Sequence, residues 1–89
     1  MQLEIRYFAA VAAALGTDGE QLAVEPGETI DAVLGRLVSR VDPGRAAETR
    51  LSELLARCSF IVNGRSTRER GHALAPGDRL DVLPPFAGG

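Results

Sequence analysis

The sequence predicts an α+β domain: a mixed sheet with one long helix packed across it. Three observations carry this. Two runs alternate between apolar and polar residues, Leu3-Glu4-Ile5-Arg6-Tyr7 near the start and Arg79-Leu80-Asp81-Val82 near the end, the second continued by Leu83, and read as strands. Between them Ile30, Val33, Leu34, Leu37, Val38 and Val41 recur at helical spacing, the clearest amphipathic helix in the chain. Asn63-Gly64 is a strong signal for a two-residue hairpin turn.

The first strand points Leu3, Ile5 and Tyr7 to a core and Glu4 and Arg6 away from it. Phe8 falls on that outer side, a large apolar group where a polar one is expected. Ala9 to Leu15 is alanine-rich, a good helix former, and Gly16 suits a left-handed cap. Glu20 to Val24 reads as a second strand with Leu22 and Val24 inward. Thr29 is the N-cap candidate of the long helix, and Asp31 in its first turn suits the helix dipole. Gly35 inside that helix is unfavourable and implies close packing there. Asp42-Pro43-Gly44 is expected to end the helix. Leu51, Leu54 and Leu55 sit at helical spacing, so a short helix or compact turn is expected within 45–57. Cys58 to Val62 is a third strand, followed by the hairpin, a short strand at Arg65-Ser66 and a turn at Pro76-Gly77-Asp78. In the last strand Leu80 and Val82 face in, and Asp81 and Leu83 face out. The first and last strands lie side by side in the economical arrangement of these elements, a ubiquitin-like β-grasp. The domain spans 1–83, and 84–89 form an extended tail.

Eighty-nine residues make one small domain. A net charge of −2, with no basic stripe interleaved with aromatics, argues against nucleic acid as a partner. No apolar run is long enough to span a membrane. No secretory signal is visible, and the single cysteine fits a reducing compartment, so a cytoplasmic location is expected. All ten basic residues are arginine. A guanidinium essentially cannot attack an activated acyl group, whereas a lysine amine can. An arginine-biased genome would produce the same count.

Catalytic motifs are missing. One histidine and one cysteine offer no metal-ligand spacing, and Cys58 is better read as a small buried hydrophobe than as a thiol paired with His72. Asp18, Glu20, Asp78 and Asp81 are expected to be solvated. The chain reads as a substrate or carrier, not an independent catalyst. Its informative stretch is Pro84-Pro85-Phe86-Ala87-Gly88-Gly89. The prolines stop the last strand because neither donates to a ladder. Six extended residues reach at most ~20 Å. Glycines pass narrow channels, and the terminal carboxylate, ionised at neutral pH, is a nucleophile that could attack the α-phosphate of ATP. Phe8, Leu83, Pro84, Pro85 and Phe86 would form an apolar patch at the root of this tail, as interfaces do.

Tyr7-Phe8-Ala9-Ala10, Asn63-Gly64 and the run from Leu74-Ala75-Pro76-Gly77-Asp78 through Gly88-Gly89 together resemble the small subunit of molybdopterin synthase, the sulfur-carrier branch of the ubiquitin-like β-grasp proteins. The resemblance covers essentially the whole chain. It implies that an E1-like enzyme uses ATP to adenylate the Gly89 carboxylate, and that sulfur then replaces AMP to give a thiocarboxylate. It further implies that the tail enters the large synthase subunit, with Gly88 and Gly89 as its functional end and Ala87 among the contact residues. That subunit supplies the catalytic side chains, in an expected heterotetramer, and there sulfur passes to the pyranopterin precursor of the molybdenum cofactor. No cofactor is bound by the chain itself. Phe8 and Leu83 match apolar contact positions of the family. Leu83 stands where an aromatic is often found, and Phe86 where a smaller residue is common. A sulfur carrier for cysteine or thiamine synthesis, a protein modifier and a non-covalent docking module remain as alternatives.

Overall fold

A computed structural model of the chain describes residues 2–41 and 45–85, with side chains of the third helix described from Arg50 onward. The elements run β1 (Gln2–Tyr7), α1 (Ala9–Leu15), β2 (Gly19–Ala23), α2 (Ile30–Val38), α3 (Arg45–Ala56), β3 (Ser59–Val62), β4 (Arg65–Thr67) and β5 (Arg79–Leu83). The strands form one mixed sheet in the order β2-β1-β5-β3-β4. The last strand therefore lies at its centre. It pairs parallel with β1, Ile5 opposite Leu80 and Tyr7 opposite Val82, and antiparallel with β3. This is the expected α+β arrangement with its first and last strands adjacent.

Alternation sets the two faces. Leu3, Ile5, Tyr7, Phe60, Val62, Leu80 and Val82 are buried, and they cluster with Ile30, Val33, Leu34 and Leu37 of α2 and Leu51 and Leu55 of α3. In β2, Leu22 packs part-buried against this core and Val24, just past the strand, is buried. Gly19 is fixed by close approach to β1, since a Cβ there would stand 2.9 Å from the Ile5 carbonyl oxygen.

The helices depart from expectation. Among the described residues the longest helix is α3 and not the expected α2. α2 has 9 residues and α3, expected as a short helix or turn, has 12. Thr29 caps α2 as anticipated, its hydroxyl accepting from the Ala32 N–H at 3.1 Å. The helix stops at Val38, where Ser39 takes over, and the expected Asp42-Pro43-Gly44 stop lies outside the described residues. Gly35 is exposed, and a Cβ added to it meets nothing within 4 Å, so packing does not explain it.

The hairpin is present. Asn63 and Gly64 take φ of 51° and 85°, as a type I′ turn requires. The Asn63 side chain also ties this turn to the start of β5. Its Nδ2 donates to Asp78 Oδ1 at 2.8 Å, its Oδ1 accepts from the Arg79 N–H at 2.9 Å, and its own N–H donates to the Arg79 carbonyl at 2.9 Å. Asp78 Oδ2 accepts from the Ala75 N–H at 2.8 Å, which closes the turn before the strand.

Candidate functional site

The tail root is assembled where β1 and β5 end together. The ladder closes at Tyr7 opposite Val82, and one residue further on Phe8 and Leu83 leave it. Phe8 is 37% exposed, the only large hydrophobic residue so exposed among the described residues. Leu83 and Pro84 are half-buried and Pro85 is exposed. The structure thus brings Phe8, Leu83, Pro84 and Pro85 to one end of the sheet. Phe86, Ala87, Gly88 and Gly89 lie outside the described residues.

Phe8 is held from below by charge. Arg6, two residues back on the same face of β1, places its guanidinium carbon 5.7 Å from the centre of the Phe8 ring, within cation–π range. Arg6 is anchored in turn by Asp81, its neighbour across the parallel ladder, with Nε to Oδ1 at 2.9 Å and a second contact to Oδ2 at 3.1 Å. This fork explains an expectation that failed. Asp81 points to the outer face, yet it is only 7% exposed and is not solvated. It tolerates burial because the guanidinium satisfies both of its oxygens. The hydrogen bond from Arg6 to Asp81, aided by their charge attraction, raises the guanidinium pKa above its ordinary value.

Glu20 is likewise engaged rather than free. The Tyr7 hydroxyl donates to its Oε2 at 2.7 Å, and Arg40 lies 3.0 Å from the same oxygen. Burial works to raise the Glu20 pKa, but the Tyr7 and Arg40 contacts together outweigh it and hold the carboxyl below the ordinary carboxylate value. Burial, joined by the Glu20 contact, pushes the Tyr7 phenol well above its ordinary range. Asp18 is exposed, as expected.

The turn from β1 into α1 is sharp. Phe8 is extended, at φ −128° and ψ 148°, and occupies the N-cap of α1 without a side-chain cap bond. Ala9 then takes φ 50°, a left-handed value that a non-glycine residue adopts at some cost. An apolar residue at a cap and a strained alanine beside it both lie next to the departing tail. Sequence periodicity gave no sign of the strain.

Helix α3 contributes what sequence reasoning missed. Arg50, Glu53, Leu54 and Arg57 join Ala9, Ala10, Pro84 and Pro85 around a groove of about 440 Å³ beside the tail root. Leu51 and Leu55 of the same helix enter the core, which turns Leu54 toward this groove. Its signal was present in the leucine spacing, but the spacing alone does not say what the helix faces.

Cys58 is not part of a nucleophilic site. It is buried, its thiol donates to the Leu54 carbonyl at 3.3 Å, and burial pushes its pKa up to about 11, against a lowering by Arg70. A thiol so held is not ionised at neutral pH. His72 is exposed. Among the described residues no group of three or more His, Cys, Asp or Glu side chains could hold a metal ion, and no helix is long and apolar enough to cross a membrane.

The model of the ThiS family matches residues 5–89. The chain is 26% identical over 90 residues to the molybdopterin synthase sulfur carrier subunit of Chlamydomonas reinhardtii, with all of both chains covered. The solution structure of the Haloferax volcanii HVO 2177 protein superposes with a TM-score of 0.77 at 27% identity, covering 100% of this chain and 87% of the other. Small archaeal modifier protein 1 of H. volcanii superposes with a TM-score of 0.71 at 25% identity, covering 96% and 98%.

Proposed function

Because the chain belongs to the ThiS family of sulfur-carrier, ubiquitin-like proteins, we propose that it carries sulfur on the Gly89 carboxyl for molybdopterin synthesis. An E1-like enzyme adenylates that carboxylate with ATP. Sulfur displaces AMP, and the resulting thiocarboxylate enters the large subunit of molybdopterin synthase, where its sulfur passes to the pyranopterin precursor and water restores the Gly89 carboxylate. The work proceeds in the cytoplasm, and two small and two large subunits assemble into a heterotetramer.

The observation that carries this reading is the placement of β5. It runs parallel to β1 through the middle of the sheet and releases Pro84 and Pro85 beside exposed Phe8. A tail leaving from such a patch can be docked and threaded in one event. Phe8, Leu83, Pro84, Pro85, Phe86 and Ala87 form the contact surface, and Gly88 and Gly89 enter the partner. The chain contributes position and an acyl group. The side chains that perform chemistry belong to its partners.

The test is intact-mass measurement after incubation with the activating enzyme, ATP and a sulfur donor. Replacement of one oxygen by sulfur at the C-terminus is expected. Deleting Gly89 should abolish the gain while leaving the circular dichroism spectrum unchanged. Normal loading of the truncated protein would overturn the mechanism. The likeness to small archaeal modifier protein 1 favours a second reading, attachment of Gly89 to amines of other proteins. Covalent adducts in cell extracts, in place of a thiocarboxylate, would select it.

A further inference from the structure

The groove beside the tail root has an apolar floor of Ala9, Ala10, Leu54 and Pro84. Arg50 of α3 and Arg57, the first residue past its end, also line it, and both are exposed. Glu53 lies between them, so the wall keeps one net positive charge. Pro85, the last described residue, is itself part of the lining. The four residues that follow, Phe86-Ala87-Gly88-Gly89, are apolar and then carry the α-carboxylate. Extended, they span at most ~14 Å, and Pro85 lines the same groove as both arginines.

We propose that this groove is the resting seat of the chain's own end, with Phe86 and Ala87 over its apolar floor and the Gly89 carboxylate received by Arg50 and Arg57. The inference rests on the reading above that Gly89 carries the reactive carboxyl. Both arginines are exposed, so the pairing is salt-screened and a partner can displace it.

The identity of the cations matters here. About one lysine amine in 10³ is unprotonated near neutral pH, while guanidinium stays charged. A lysine at either position would meet the activated Gly89 at close range. Its nitrogen would bond to the Gly89 carbonyl carbon, the bond from that carbon to the adenylate oxygen would break, AMP would leave with the electron pair, and the amine proton would pass to water. The tail would be lost to an internal amide. Arginine binds the carboxylate and is not acylated by the adenylate made from it, so the seat holds the end without consuming it.

That side reaction supplies the test. The full chain is made as a C-terminal thioester by intein cleavage, which needs no activating enzyme. Arg50→Lys and Arg57→Lys are compared with Arg65→Lys and Arg68→Lys, exposed positions at the edge strand β4 and just beyond it. Expected is an internally cross-linked monomer, having lost the thiol, that forms at least ~10-fold faster in the first pair because of the raised local concentration. Equal rates in all four variants, no cross-link in Arg50→Lys or Arg57→Lys, or covalent dimers without the closed monomer would each overturn the seat. Failure of sulfur loading, by contrast, would show in the enzymatic assay of the unsubstituted chain, so the two ideas fail separately.

Discussion

Asn63 pins the start of the strand that bears the tail, and its contribution can be separated into parts. Asn63→Gly keeps the left-handed backbone at φ 51° and removes the side-chain bonds to Asp78 and Arg79. Two exposed hydrogen bonds together contribute ~1 kcal/mol. The freer unfolded chain adds about 0.4–1 kcal/mol, for a loss of roughly 1.5–2 kcal/mol. Asn63→Ala loses the same two bonds and also puts into the left-handed region a residue without the local side-chain hydrogen bonding that lets asparagine tolerate it, about 1–2 kcal/mol, for a loss of roughly 2–3 kcal/mol. Asn63→Asp keeps the acceptor for the Arg79 N–H but faces the Asp78 carboxylate, 2.8 Å from the present amide, with a like charge. Its deficit should shrink as salt is added, whereas that of Asn63→Ala should not. Urea unfolding followed by circular dichroism gives these differences directly, and each 1 kcal/mol corresponds to about 4–8 °C in Tm for a domain of this size. If alanine were as stable as glycine, backbone strain would not be the cost assigned to it. If neither lost 0.5 kcal/mol, the Asn63 clamp would be ornamental.

Gly35→Ala should stabilise the protein by about 0.5–1 kcal/mol, since the added Cβ meets nothing and the helix gains propensity, and a lower urea midpoint would contradict this. Tyr7→Phe removes a 2.7 Å bond to an ionised, part-buried carboxylate and should cost about 1–2 kcal/mol in the same assay. Glu20 and Glu28 both titrate below their ordinary value of 4.5, Glu20 because Tyr7 and Arg40 outweigh its burial and Glu28 chiefly because Arg36 bonds to it. Their contribution is therefore fully present above the unfolded value and is lost as pH falls through the lower folded values, so the urea midpoint should drop as pH falls below 4.5, less so in Glu20→Gln. Phe8→Asp should weaken binding of a partner to the tail root at least ~10-fold, read by titration calorimetry, and unchanged affinity would remove Phe8 from the interface.

Much of this fold was legible because burial on one face leaves a periodic trace. β1 and β5 could be read with their inward residues correct, and the Thr29 cap and Asn63-Gly64 turn are local chemistry. Alternation reports which face a residue takes, but not how deep it lies. Asp81 was assigned outward correctly and solvated wrongly, because its cover is Arg6 on a strand that is adjacent only after folding. Glu20 was misjudged for the same reason, its partner Arg40 being far along the chain. The extent of α3 was hidden by its polar first half, Arg45-Ala46-Ala47-Glu48-Thr49, which has no apolar stripe to mark it. That Phe8, Leu83, Pro84 and Pro85 would meet at one end of the sheet was legible because apolar residues on an outer face are conspicuous, and their part in a contact surface is the proposal made above. The place of Arg50 and Arg57 was not legible, since surface arginines acquire meaning only from what stands across the groove.

The strand made last occupies the middle of the sheet, flanked by β1 and β3. Without it the β1–β2 and β3–β4 pairs share no strand-to-strand ladder, and forming that ladder means bringing Ile5 to Leu80 across nearly the whole chain. A nascent or damaged molecule therefore cannot display Pro84 and Pro85 beside a properly set Phe8. A partner that docked on that corner, as proposed, would thereby test in the same contact whether the sheet has closed.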